Sequence, residues 1–239
     1  MENRIVKSIR AALEKNTKVN LHRFPIHVAM QNGDVILEGD VEDIAAKKTA
    51  LRLAAERRGV RGIVDRLRVV PAQKMGDEEI RDRVCKALLG EPAFEHCVIR
   101  GRDGEVVETV REAATDGAGS IVVAVSDGVV TLNGTVPSLS HKRLAGVLAW
   151  WVPGCRDVIN GLEEVPPEQD SDDELADAVR LVLEKDPFVD ADRIAVRCRA
   201  GTVTLTGTVP TEATRKMAEM DAWYVLGVER VDNRLRVEE

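Results

Sequence analysis

Apolar residues recur near the start of the chain at Ile5, Ile9, Ala12 and Leu13, the i, i+4, i+7, i+8 spacing of an amphipathic helix. The same spacing returns at Ile80, Val84, Ala87 and Leu88, and again at Leu175, Val179, Val182 and Leu183. Ser171-Asp-Asp-Glu174 adds a capping box to the third of these helices, and the three end at Asn16, Glu91-Pro92 and Asp186-Pro187. Each helix is followed by residues that alternate apolar and polar, with Ile26, Val28 and Met30, then Ile121, Val123 and Val125, then Ile194, Val196 and Cys198 on the apolar side.

A tight turn then leads into one stretch written three times: Gly201-Thr-Val-Thr-Leu-Thr-Gly207-Thr-Val-Pro210, Gly128-Val-Val-Thr-Leu-Asn-Gly134-Thr-Val-Pro137 and, more loosely, Gly33-Asp-Val-Ile-Leu-Glu-Gly39-Asp-Val41. Its Val203, Leu205 and Val209 fall on one face and its four threonines on the other, so it pairs with the preceding strand as an antiparallel hairpin. Asp43, Ser138 and Thr211 are equivalent N-cap residues for a further helix, predicted to stop in a left-handed residue at Gly59, Gly154 and Gly227. Within that helix Ala50 and Ala54, Ala145 and Ala149, and Ala218 and Ala222 recur at i, i+4, the mark of a helix laid close onto a sheet. A last strand runs over 63–69, 158–165 and 231–237.

Internal repetition of this kind fixes the architecture. The fold class is α+β: three tandem small domains, each helix-strand-strand-helix-strand, with a three-stranded mixed sheet and both helices on one face. The expected domains are 1–74, 75–165 with an insertion at about 95–120, and 166–239 after the acidic linker Pro166-Pro-Glu-Gln-Asp-Ser-Asp-Asp173, which reads as a better linker than Pro71 to Gly76. In the insertion, Val106, Val107, Val110, Ala113 and Ala114 have helical spacing and favour a helix, although Arg102-Asp-Gly-Glu105 could turn a small hairpin.

Composition narrows the class. The chain of 239 residues is 44% hydrophobic and 31% charged, and no apolar run approaches a membrane span. The opening residues alternate charge with apolar groups, so the chain is expected to be cytoplasmic, or periplasmic if a leader has been removed. Cys85, Cys97, Cys155 and Cys198 are scattered and read as small apolar residues, and His22, His27, His96 and His141 have no paired ligand spacing, so neither a metal site nor a cofactor is expected. No nucleophile-base arrangement recurs and the glycines lie along a strand, not in a phosphate-binding loop; the chain reads as no enzyme.

The net charge of −7 conceals an asymmetry. Residues 1–74 hold 15 basic against 9 acidic groups, 75–165 hold 9 against 15, and 166–239 hold 10 against 17. The basic side chains of the first copy gather on its second helix and the following turn, at Lys47, Lys48, Arg52, Arg57, Arg58 and Arg61, as candidates for contact with lipid or another partner. The bland alternative is a solvated helix face. Nucleic acid is disfavoured because aromatic stacking residues are lacking there.

The outer face of that helix is Lys48, Arg52 and Ala55 in the first copy but Arg143, Val147 and Trp150 in the second and Lys216, Met220 and Trp223 in the third. Val147, Trp150, Trp151, Met220, Trp223 and Tyr224 are therefore interdomain or partner-contact candidates, because such rings are seldom left in water. The favoured arrangement packs the second and third domains helix against helix; the alternatives are an external partner or the lipid interface.

The core Gly-Val-Val-Thr-Leu-x-Gly-x-Val, the alanine-spaced helix, the endings Gly59-Val60 and Gly227-Val228, and the strand from Val231 to Leu235 resemble the BON domain, a bacterial module named from osmotic-stress and nodulation proteins. The resemblance covers nearly the whole chain apart from linkers and insertion. Departures are Cys155 after Gly154, Gly161 in the last strand of the second copy, and Asp34 and Ile36 in the first signature. It implies binding of phospholipid or attachment to membrane surfaces, often in the envelope and in osmotic or envelope stress, with some members tied to cation sensing. The function expected is thus a non-enzymatic module bound peripherally to anionic phospholipid. The alternative is a scaffold, assembled with itself or another protein, that is held by the complementarity of basic and acidic domains. Cation sensing through backbone carbonyls is a further alternative.

Overall fold

The computed structural model describes residues 2–112 and 119–238, which form two compact units, Met1–Val70 and Pro71–Glu239. In the first unit the order is α1 (Glu2–Lys15), β1 (His27–Gln31), β2 (Asp34–Val41), α2 (Ile44–Ala55) and β3 (Gly62–Val69). β1 and β2 pair antiparallel across Asn32-Gly33, whose φ values of 53° and 88° are the two left-handed residues of a type I′ turn. The chain crosses back through α2 and β3 adds parallel to β2, so the signature strand is central in the sheet. Both helices lie on one face, because Ile9 and Leu13 of α1 and Ala46, Ala50, Leu53 and Ala54 of α2 share one core with Val28, Val35, Leu37, Val41 and Leu67 of the sheet.

The second unit holds the other two repeats. Its first half is α3 (Asp77–Gly90), β4 (Val98–Asp103), β5 (Val106–Arg111), β6 (Ser120–Ser126), β7 (Val129–Val136), α4 (Leu139–Trp150) and β8 (Asp157–Glu164). Its second half is α5 (Asp172–Lys185), β9 (Ile194–Arg199), β10 (Thr202–Val209), α6 (Glu212–Tyr224) and β11 (Arg230–Val237), with the three-stranded order β9-β10-β11. Asp127-Gly128 and Ala200-Gly201 repeat the left-handed turn. The side chains of Asp43, Ser138 and Thr211 accept from the backbone N–H of Ala46, His141 and Thr214, and all six alanines of the paired positions are fully buried.

Three sequence expectations are corrected. The insertion carries a hairpin and not a helix: β4 pairs parallel with β6 and antiparallel with β5, which extends the second sheet to five strands, β5-β4-β6-β7-β8. The valine spacing fits either period, but β-branched side chains suit a strand and Gly104 supplies the turn at φ 55°. Ile99 then fills a fully buried slot beside β6, while Val106, Val107 and Val110 remain exposed on the edge strand. Ala113 and Ala114 lie outside the described residues.

The second helices stop at Ala55, Trp150 and Tyr224, before the repeated glycines. Gly59 and Gly227 are left-handed in the turn that follows, whereas Gly154 is not, and is small for another reason: a Cβ there would stand 2.7 Å from the Met75 Cβ. The acidic stretch at 166–173 is not a loose linker either. Glu168 accepts from the Leu139 N–H at 2.7 Å, and both Asp170 carboxylate oxygens accept from Arg143 Nη2, so two of its acids are tied to α4.

The second glycine of the signature is the tightest point of each hairpin. Gly39, Gly134 and Gly207 have φ of 141°, 124° and 137°, and a Cβ would meet the carbonyl oxygens of Pro25, Ser120 and Arg193 at 2.6, 2.0 and 2.0 Å. Gly207→Ala is therefore expected to destabilise the third repeat by well over the ~1 kcal/mol of an ordinary glycine-to-alanine change. Urea unfolding checks this; an effect below that level would mean the strands can separate at this point without loss.

Candidate functional site in the second and third repeats, and the basic face of the first

The second and third repeats meet along α4, α5 and α6. Arg143 of α4 is almost wholly buried, donating from Nε to the Leu226 carbonyl at 3.0 Å and from Nη2 to both Asp170 oxygens at 2.7 Å. Val147 is fully buried and Trp223 is 2% exposed, while the half-buried rings of Trp150 and Tyr224 stack with centroids 5.5 Å apart. Trp151 Nε1 donates to Asp221 Oδ1 at 2.9 Å, and Lys185 pairs with Glu91 at 2.8 Å. Half-buried Met220 lies beside Asp221 on α6. The aromatic residues that the sequence left facing outward thus lie at contacts within this unit.

One side of this seam opens into a cleft of about 600 Å³, lined by Trp151, Pro187, Phe188, Met217, Met220 and Tyr224 together with Asp186, Asp221, Ala213 and Lys216. Two buried carboxyls stand on its wall. Asp186 follows the last turn of α5 and accepts from the Phe188 N–H at 2.9 Å. Asp221 is 4% exposed, and its Oδ2 receives no fixed donor, so the only hydrogen bond open to it is through a proton shared with the Asp186 carboxyl. Burial, and then the neighbouring Asp186, push the Asp221 carboxyl up to about 8, against an ordinary 3.8. Phe188 is 73% exposed.

Sequence reasoning missed both carboxyls, although a signal was available. Asp221 occupies the position held by Leu53 in the first repeat and Leu148 in the second, both buried. A carboxylate at a core leucine position needs a reason, and the cleft is the only feature of α6 that it and Met217 both line.

In the first unit the basic candidates divide. Lys47 is 4% exposed, bonded through Nζ to the Leu67 carbonyl at 2.8 Å and paired with Asp65 at 3.0 Å, which removes it from any exposed basic face. The other repeats explain why. Asn160 and Asn233, at the position of Asp65, donate to the carbonyls of Lys142 and Arg215 on their second helices, and in the first repeat the ion pair substitutes for that amide lock. Lys48 is half-buried and burial pulls its ammonium down to about 7. Arg52 pairs with Glu56 one turn on; Arg57 donates to the Leu53 carbonyl at 3.1 Å and Arg61 to that of Asn32. Arg58 is exposed.

A groove of about 420 Å³ between α1 and α2 is lined by Ser8, Ala11, Ala12, Lys15, Asn16, Leu53 and Arg57, so the basic face also includes α1, where Arg4, Lys7, Arg10 and Lys15 are exposed. The alternation of these residues with apolar ones masked them in the sequence. Among the described residues no group of three or more His, Cys, Asp or Glu side chains converges, and no helix is long and apolar enough to cross a membrane.

A family model described as the BON domain matches residues 2–71, 102–166 and 171–239. Among solved structures, the C-terminal domain of CdsD, the structural protein of the type III secretion system of Chlamydia trachomatis, is 13% identical, covering 98% of each chain at a TM-score of 0.26. The PrgH periplasmic domain is 12% identical, covering 91% of this chain and 96% of its own at a TM-score of 0.22. Superposition at that level supports no transfer of arrangement or role. No curated protein matches the chain.

Two measurements test the seam. Arg143→Ala should cost about 1–3 kcal/mol through loss of its charge-assisted bonds to Asp170 and of the packing of a buried side chain, and should lower hydrogen-exchange protection in both the second and third repeats. Protection lost in one repeat alone would show that they do not stabilise each other. Asp221 gives a pH signature. A carboxyl whose folded pKa exceeds its unfolded one holds its proton more tightly in the native state, so its contribution is complete below 3.8 and declines as pH rises to about 8. The stability of Asp221→Asn relative to the unsubstituted chain should therefore improve across that window, by roughly 1.4 kcal/mol per pH unit at the steepest, and level off above it. A difference that stays flat with pH would mean Asp221 is ionised at neutrality.

Proposed function

The chain belongs to the BON domain family, with three copies in tandem, and on that premise we propose that it is a non-enzymatic binding module that attaches peripherally to anionic phospholipid through its first repeat. BON domains are commonly membrane- or phospholipid-binding modules. The observation that carries the reading here is electrostatic: the first repeat is net +6, and its exposed cations on α1 join Arg58 and the Lys15–Arg57 groove on one small domain. Each basic residue near an anionic surface contributes on the order of 1 kcal/mol, so a handful gives reversible adsorption. The anionic cytoplasmic leaflet would supply that surface. The family's ties to osmotic and envelope stress give a setting in which such attachment would be useful.

A second reading rests on the same charge split. The basic repeat could dock onto an acidic repeat of another copy, giving an assembly with no role for lipid. Light scattering across a salt series reports on it, since such an assembly falls apart as the screening length shortens to about 3 Å at 1 M.

Sedimentation with liposomes of graded phosphatidylserine content tests the lipid reading. Binding should rise with anionic fraction, and Lys15→Glu and Arg58→Glu should each weaken it by at least about fivefold, the equivalent of roughly 1 kcal/mol. Binding indifferent to lipid charge overturns the proposal.

A further inference from the structure

The cleft, formed by the third repeat and Trp151 of the second, directs few hydrogen-bond donors at its carboxyls. Its wall presents two carboxyl groups, and the bonds to them come from the Trp151 indole N–H and the Phe188 backbone N–H, which leaves Asp221 Oδ2 buried with no donor other than a proton shared with Asp186. An acceptor with no fixed donor is costly, and a second carboxyl beside it raises the cost because the two cannot both ionise cheaply away from water. Core packing gives no reason for it, since the other repeats have leucine at this position. A ligand that brings donors and positive charge would relieve it.

The remainder of the lining specifies the rest of that ligand. Trp151, Phe188 and Tyr224 offer aromatic surface, which attracts cations as well as apolar groups, and Met217 and Met220 adapt to chains of varied shape. A volume of about 600 Å³ lies within the range of small-molecule sites. Lys216 is the one cation of the lining, and it is exposed.

We infer that this cleft binds an amphiphilic primary ammonium, with the –NH₃⁺ group held by Asp186 and Asp221 and the apolar chain lying between Phe188, Met217, Met220 and Tyr224. The ammonium takes the place of the proton that Asp186 and Asp221 otherwise share, donating to both carboxylates and balancing their charge as that proton leaves to solvent. The site is separate from the basic face of the first repeat and of opposite sign, so it stands whether or not that face adsorbs to lipid.

Calorimetric titration of the full chain with octylammonium, kept below micelle-forming concentration, tests this against 1-octanol and octanoate as matched neutral and anionic probes. Octylammonium should bind saturably and at least tenfold more tightly than either control. Asp221→Asn, nearly isosteric, should weaken octylammonium several-fold toward the level of octanol, with the Asp186 carboxylate still in place. Because Asp221 also receives the Trp151 bond, a second variant is used that touches no hydrogen-bonding side chain: Phe188→Ala, at an exposed lining position, should weaken octylammonium several-fold while leaving the circular dichroism spectrum unchanged. Octanol binding as tightly as octylammonium would reduce the cleft to an apolar crevice. Preference for octanoate would make Lys216 the anchor. Either result, the absence of saturable octylammonium binding up to millimolar concentration, or indifference of that binding to both substitutions overturns the inference.

Discussion

The arrangement of the second unit depends on the desolvation of the outer face of α4. Ala145 and Ala149 take one side of that helix against its own sheet, which leaves Arg143 and Val147 on the other, buried but outside the core that those alanines join. A guanidinium that is nearly fully buried is tolerable only if its fork is satisfied. Here the Leu226 carbonyl and the Asp170 carboxylate do this, one from the turn after α6 and one from the stretch before α5. Fixing both ends of the third repeat in this way determines where α6 lies, and with it the approach of Trp151 to Asp221 and of Trp150 to Tyr224.

The cleft is a consequence of the same constraint. The space opens beside the Trp151–Asp221 contact, with Met217, Met220 and Tyr224 of α6 and Phe188 lining it. Burial that stabilises the seam thus also strands a carboxyl pair in surroundings where one proton or one cation is needed. The stability of the seam and the chemistry of the cleft arise from one contact, which is why Asp221 serves as a probe of both.

Much of this fold was legible in the sequence because the repeat let three noisy signals be read together. The N-caps at Asp43, Ser138 and Thr211, the alanine pairs and the hairpin glycines are local chemistry, and the structure has each of them where the pattern put it. What escaped was decided by partners distant in sequence. Val106, Val107 and Val110 fit a helix until β6 offers β4 an unpaired edge. Lys47 looks like one more surface cation until Asp65 is found where the other repeats have asparagine. Glu168 and Asp170 read as linker because their bonds go to residues on α4, well before them in the chain. The candidate site was legible only in part: the aromatics drew attention to the seam between α4 and α6, but the Asp221 carboxyl on the wall of the cleft was hidden at a position where the other two repeats have leucine.

One module used three times has diverged where its own fold imposes least. The sheet-facing side of the second helix keeps its alanines in every copy, since a larger residue would lift the helix off the strands. The opposite side is unconstrained by the module's core, and there the copies part: Lys48 and Arg52 in the first, Arg143, Val147 and Trp150 in the second, Met220 and Trp223 in the third. An apolar side is stable only when covered, so the second and third copies share one compact unit, while the first, with charge on that side, forms a compact unit of its own. The same substitutions that divide the chain into two units therefore also divide its surface chemistry, leaving a cationic surface on the first repeat and an acidic, aromatic-lined cleft on the third beside Trp151 of the second.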